Sequence, residues 1–175
     1  MKPKLILCLA FVLSGGLFGC ATANKNQLSG LPIRYYNPQY DFTFYLPKSW
    51  KGYSVVMDEW DAPLTKSPSD STDKAIGTER GPRIVLRHPL WRTNDLYQDI
   101  SIMVFTHKQW KEEEDGLFFP YAGGMISEMW HNKKYLFGLY SRYNAADDVK
   151  GWKEADDIIA TNCAAHSEPT LYPNP

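Results

Sequence analysis

Residues 40–60, YDFTFYLPKSWKGYSVVMDEW, read as a strand, a stop and a second strand, and this grammar constrains the fold more than any other stretch. Tyr40, Phe42, Phe44 and Leu46 alternate with Asp41, Thr43 and Tyr45, the period of a half-buried strand built from residues that suit a pleated surface. Pro47 ends it, since proline has no N–H for a ladder and biases the residue before it away from helix. Ser49-Trp50-Lys51-Gly52 then turns the chain into a second strand over 53–58. Phe44 and Trp50 are expected in the core beneath the first strand.

The remaining segments extend that pattern. Residues 33–36 form a short strand ended by Asn37-Pro38. Residues 63–82, bounded by prolines and without aromatics, read as a long flexible loop. Residues 83–88 alternate Ile84, Leu86 and His88 against Arg83, Val85 and Arg87, whereas 99–105 are almost continuously apolar, as in a central strand covered on both faces. Thr106-His107-Lys108-Gln109 has capping-box spacing for a short helix that Gly116 ends. A hairpin is expected around Asn132-Lys133, although lysine occupies a position that could need positive φ. Trp152, Ala155, Ile159 and Asn162/Cys163 recur at helical spacing behind a cap at Asp147 or Asp148.

At 175 residues the chain suits one domain, and its 43% hydrophobic content with a net charge of -1 leaves no basic footprint for nucleic acid. Lys2 and Lys4 precede an apolar run over 5–13 that is too short to span a bilayer, which is the pattern of a signal peptide. Leu17-Phe18-Gly19-Cys20 follows and resembles the bacterial lipobox, which is cut before a cysteine carrying diacylglycerol. The resemblance implies a signal peptide over 1–19, a lipidated Cys20 with a tether over 20–31, and export to a bacterial membrane. Because Ala21 is not acidic, it further implies the outer membrane where the host has one, with the domain facing the periplasm or exterior. Of the 3 cysteines only Cys163 then lies in the domain, so no internal disulfide can form. Loss of Lys2 and Lys4 leaves 17 Lys+Arg against 20 Asp+Glu, so no polybasic patch assists attachment and the lipid must supply it. The domain is placed at 32–166 and a disordered tail at 167–175.

Six or seven strands with two helices predict an α+β fold, an antiparallel sheet covered by helices on both faces. Tyr40-x-Phe42-x-Phe44-x-Leu46-Pro47-x-Ser49-Trp50-x-Gly52-Tyr53, Gly81-Pro82-x-Ile84, Arg87-His88-Pro89 and Gln98-Asp99-Ile100-x-Ile102-Met103-Val104-Phe105 resemble an uncharacterised set of small exported bacterial proteins. The order of elements is similar to that of the PsbP-like fold, an αβα sandwich. That likeness implies a fold and transfers no functional residue.

The chain has no H-E-x-x-H, G-x-S-x-G, phosphate-loop, dinucleotide or C-x-x-C motif, and His88, His107, His131 and His166 show no zinc-ligand spacing. No catalytic residue, metal or other cofactor is therefore assigned. The candidate ligand or partner surface is Asp58, Trp60, Arg87, His88 and Trp91. Carboxylates beside an exposed aromatic suit sugar or acid/base chemistry, while a solvated strand end is the simpler reading of 58–61. Alternation puts Asp58 and Trp60 on one face and Glu59 and Asp61 on the other. His88 reads first as a hydrogen-bonded structural residue, and Arg83, Arg87 and Asp99 as cross-strand ion pairs. Two functions follow: a non-enzymatic lipoprotein whose domain binds another envelope protein, or a small-ligand or carbohydrate-binding domain, including a hydrolase, that uses Trp60, Trp91 and the 58–61 carboxylates.

Overall fold

The computed structural model describes residues 30–66, 75–120, 126–140 and 149–166. The signal segment, Cys20, most of the tether, the caps Asp147 and Asp148 and the tail lie outside the described residues. Strands β1 (Ile33–Asn37) and β2 (Phe42–Leu46) form a hairpin, and a single 3-10 turn at Lys48–Trp50 leads into β3 (Ser54–Leu64). β4 (Gly77–Arg87), β5 (Ile100–Thr106), α1 (His107–Glu114), β6 (Ile126–His131), β7 (Tyr135–Tyr140) and α2 (Trp152–His166) follow. The fold is α+β, but the strands divide into an antiparallel five-stranded sheet, ordered β3-β4-β5-β7-β6, and the separate β1-β2 pair.

That division corrects the expectation of one sheet of six or seven strands. The apolar stripe Phe42, Phe44 and Leu46 lies on the sheet rather than beside it: Phe42 meets Phe137 at 4.8 Å between ring centres, and Phe44 meets Trp130 at 6.0 Å. The hairpin and α2 together bury Ile84, Leu86, Ile100, Ile102, Val104 and Phe137. On the other face Trp110 of α1 packs with Trp60, Met103, Phe105, Phe118 and Leu136. β5 feeds both clusters, which is why its sequence is nearly all apolar.

α2 holds the hairpin with polar groups. The Asn162 side chain accepts from the Tyr45 backbone N–H at 2.8 Å and donates to the Tyr45 carbonyl at 2.9 Å, so it stands in for the next strand along β2. His166 adds a bond from Nε2 to the Thr43 carbonyl at 2.8 Å and stacks on Trp130. The buried positions of α2 are Ala155, Ile158, Asn162, Cys163 and Ala164, and Ile159, half-buried, packs against the same core beside the more deeply buried Ile158.

The expected loop over 63–82 is mostly not a loop. β3 and β4 pair without interruption from Ser54↔Arg87 to Leu64↔Gly77, and only residues 67–74 of that stretch lie outside the described residues. Trp60 explains the extension. Its indole reaches across β4 over Gly81, where any Cβ would collide with the ring, and Nε1 donates to the Val104 carbonyl at 3.1 Å. The β4–β5 register stops at Arg83↔Met103, because Pro82 beyond it has no N–H to offer that carbonyl. The indole supplies the missing donor.

Two turns show why their residues suffice. Asn132 Oδ1 accepts from the N–H groups of Lys134 and Tyr135, both at 2.9 Å, closing the β6–β7 turn without positive φ at lysine. Its amide also donates to the Tyr40 carbonyl at 2.8 Å, tying this turn to the first hairpin. The capping box at α1 forms as its spacing predicts, with Thr106 and Gln109 each taking the other's backbone N–H.

Candidate functional site

The five candidate residues separate into three environments. Trp60 is only 2% exposed, stacked on Phe105 at 4.7 Å and on Phe118 at 5.7 Å, so it offers no face to a ligand. The acidic residues around it suggest solvent, but strand alternation sends Trp60 inward while Glu59 and Asp61 point out. Asp58 is exposed and forms an ion pair with Arg83, its partner across the β3–β4 ladder. Arg83 holds the Asp58 carboxyl below the usual carboxylate range. This pairing differs from the expected grouping of Arg83 with Asp99.

Arg87, His88 and Trp91 do come together. Arg87 Nε donates to Asp99 Oδ2 at 3.0 Å, and its guanidinium lies 4.0 Å from the centre of the Trp91 ring, a cation–π contact. Asp99 Oδ1 also accepts the His88 backbone N–H at 3.2 Å. Asp58 is not part of this group. Arg83 and Arg87 are four residues apart on one strand, roughly 13 Å at about 3.3 Å per residue.

His88 is a core residue, 3% exposed, with Trp50 edge-on at 4.9 Å and Tyr97 stacked at 4.0 Å. Nδ1 accepts the Leu90 N–H at 3.1 Å, which places the neutral ring's proton on Nε2. Nε2 is buried and has no partner among the described residues, and Trp50 Nε1 shares that condition. Among the described residues no nucleophile is set against the ring, and the geometry is that of a packed, neutral imidazole.

Burial lowers the His88 pKa, although nearby Glu154 and Asp99 pull it upward. His166 is lowered by burial as well, opposed by its bond to Thr43. Both histidines therefore take up protons more readily in the unfolded chain. Their contribution is fully present above the unfolded pKa of about 6.5 and is lost as pH falls below it toward the folded values. The urea midpoint should decline between pH 7.5 and 5, and His88→Asn, though less stable throughout, should show a shallower decline. A flat midpoint across that interval would contradict neutral burial of these rings.

Pattern reading missed Tyr97, Glu154 and Asn162 as site-building residues. Tyr97 packs against Gly151, where φ is +77° and a Cβ would strike the ring, and Ser49 Oγ donates to Glu154. No local period announces such contacts. A groove of about 490 Å3 does lie on the sheet, lined by Tyr40, Met57, Asp58, Glu59 and Pro82. It borders β3, which among the described residues pairs only with β4, so that no other described strand lies along its outer edge. Met57 is 53% exposed, and the exposed Glu59 and Asp61 side chains have no ion-pair partner among the described residues.

Among the described residues no helix is long and apolar enough to cross a membrane, and no three His, Cys, Asp or Glu residues group to hold a metal ion. Comparison with known family models, with curated proteins and with solved structures finds no match for the chain.

Proposed function

We propose that the chain is a lipoprotein of the bacterial cell envelope, anchored through lipid on Cys20, whose domain is a non-enzymatic module that binds another envelope protein. Its layering is read as a variant of the PsbP-like αβα arrangement in which a hairpin shares the cover with α2. The observation that carries partner binding is the open β3 edge beside the Met57 groove. A free strand edge presents unpaired backbone groups, and an added strand would gain both ladder hydrogen bonds and alternate side-chain pockets. Val55, Met57, Glu59 and Asp61 alternate in sequence with the residues on the opposite face, which favours a partner strand with apolar and basic residues on one side. The carbohydrate reading has less support, since Trp60 is buried and the Trp91 ring is occupied by Arg87.

Metabolic labelling with a fatty acid should mark the wild type and not Cys20→Ser, and equal labelling of both would remove the anchor. Crosslinked pull-down from the envelope should recover a partner that Glu59→Lys with Asp61→Lys loses by at least tenfold while the thermal midpoint holds. Undiminished capture by that double variant would remove the β3 edge from the binding surface.

A further inference from the structure

The end of the domain from which the tether leaves carries a rigid loop with outward leucines. Ile33 pairs with Leu46, so Leu31 lies beside the chain that continues into Lys48–Trp50. From there Gly52 meets Pro89, Trp50 meets His88 and Tyr97 meets Gly151, which places the start of β1, the loop over 88–99 and the start of α2 at one end. Leu90 and Leu96 on that loop are 56% and 51% exposed. Trp91, between them in sequence, is half-buried under Arg87.

Their exposure is built in. Arg92 and Asp95 exchange backbone hydrogen bonds at 3.0 and 3.1 Å, and Arg92 Nη1 donates to the carbonyls of Pro89 and Trp91 at 3.0 and 2.6 Å. Gln98 N–H donates to the Lys150 carbonyl at 2.8 Å, and Lys150 Nζ pairs with Asp95. Such a loop holds its leucines in water instead of folding them away. Lys48 and Lys51 are exposed on the adjoining turn and have no acidic partner among the described residues. Apolar tips and unpaired lysines on one surface suit the boundary of an anionic bilayer.

We propose that this end is a bilayer-contacting surface, with Leu90 and Leu96 entering the headgroup layer and Lys48 and Lys51 meeting lipid phosphates at its rim. The inference rests on anchoring at Cys20. Ten residues separate Cys20 from Leu31, and the eleven steps between them, at up to about 3.6 Å each, reach at most roughly 40 Å, so the anchor would hold this end, rather than the α1 end, near the membrane. Binding then becomes intramolecular, and a patch too weak to recruit the protein alone is enough to orient it.

The test replaces Leu90, Leu96 or, at the far end, Lys108 with a photo-crosslinking benzoylphenylalanine in the full chain, in membranes that contain phosphatidylglycerol. Lipid adducts at 90 and 96 should exceed those at 108 by at least fivefold, and Lys48→Glu with Lys51→Glu should lower them at least twofold. Fatty-acid labelling of Cys20 is read on the same samples. Acylated protein with equal lipid adducts at all three positions overturns the surface and leaves the anchor standing. Preferential adducts without acylation support the surface and overturn the anchor. Protein adducts in place of lipid at 90 and 96 overturn the proposal and assign the loop to a protein partner.

Discussion

Trp50→Ala should lower the free energy of unfolding by roughly 3–5 kcal/mol, the range for a large aromatic removed from a packed interior. Trp50 is fully buried, and its ring closes the space between the 3-10 turn, His88 and the hairpin cluster. Domains are stable by only about 5–15 kcal/mol, so the variant should be partly unfolded near 37 °C or sit at a much lower urea midpoint. Trp50→Phe separates volume from hydrogen bonding. The indole N–H has no partner among the described residues, so its removal forfeits no bond, and the smaller ring should cost well under the alanine variant. Met57→Ala, on the exposed edge, should stay within about 0.5 kcal/mol of the wild type. A Trp50→Ala midpoint no lower than that of Met57→Ala would show that the ring is not packed.

Asn162→Leu should cost about 2–4 kcal/mol despite adding apolar volume to a fully buried site. The amide makes two bonds to Tyr45 and a third to the Ile158 carbonyl at 2.8 Å, so leucine strands the Tyr45 N–H and carbonyl together. Each stranded buried group costs about 1–3 kcal/mol, so two cost about 2–6 kcal/mol, and the half-buried position of Tyr45 puts the sum in the lower part of that wider range. Asn162→Asp should be at least as harmful, because a carboxylate accepts from the N–H but repels the carbonyl. Hydrogen exchange at the Tyr45 amide is the direct readout. Unchanged protection in Asn162→Leu would mean that the helix does not complete β2.

Local periodicity made much of the fold legible: the alternation of Phe42, Phe44 and Leu46, the continuous apolar run of β5 and the Thr106–Gln109 box all appear where their spacing places them. The arms of the β3–β4 hairpin escaped detection because Pro63 and residues 77–82 owe their conformation to each other. Their one strong apolar anchor, Trp60, is surrounded by carboxylates and finds its acceptor on β5, across an intervening strand. Of the candidate surface, Arg87, His88 and Trp91 are close in sequence and gather in space, whereas Asp58 belongs to Arg83. Asn162 was invisible as a hydrogen-bonding residue because its partner lies 117 positions away.

That distance sets an order in time. In a chain that leaves a ribosome or a channel N-terminus first, β1 and β2 emerge more than a hundred residues before the helix that completes them. A two-stranded hairpin is marginal in water on its own, so its apolar stripe must wait for Trp130 and Phe137 and its free edge for residue 162. Contacts of such separation delay folding, because a long loop must close before anything is gained. The domain therefore commits late and nearly all at once. Synthesis halted before α2 would release a chain in which β6 and β7 can cover the stripe but the Tyr45 edge of β2 stays open, a form prone to aggregate through that edge.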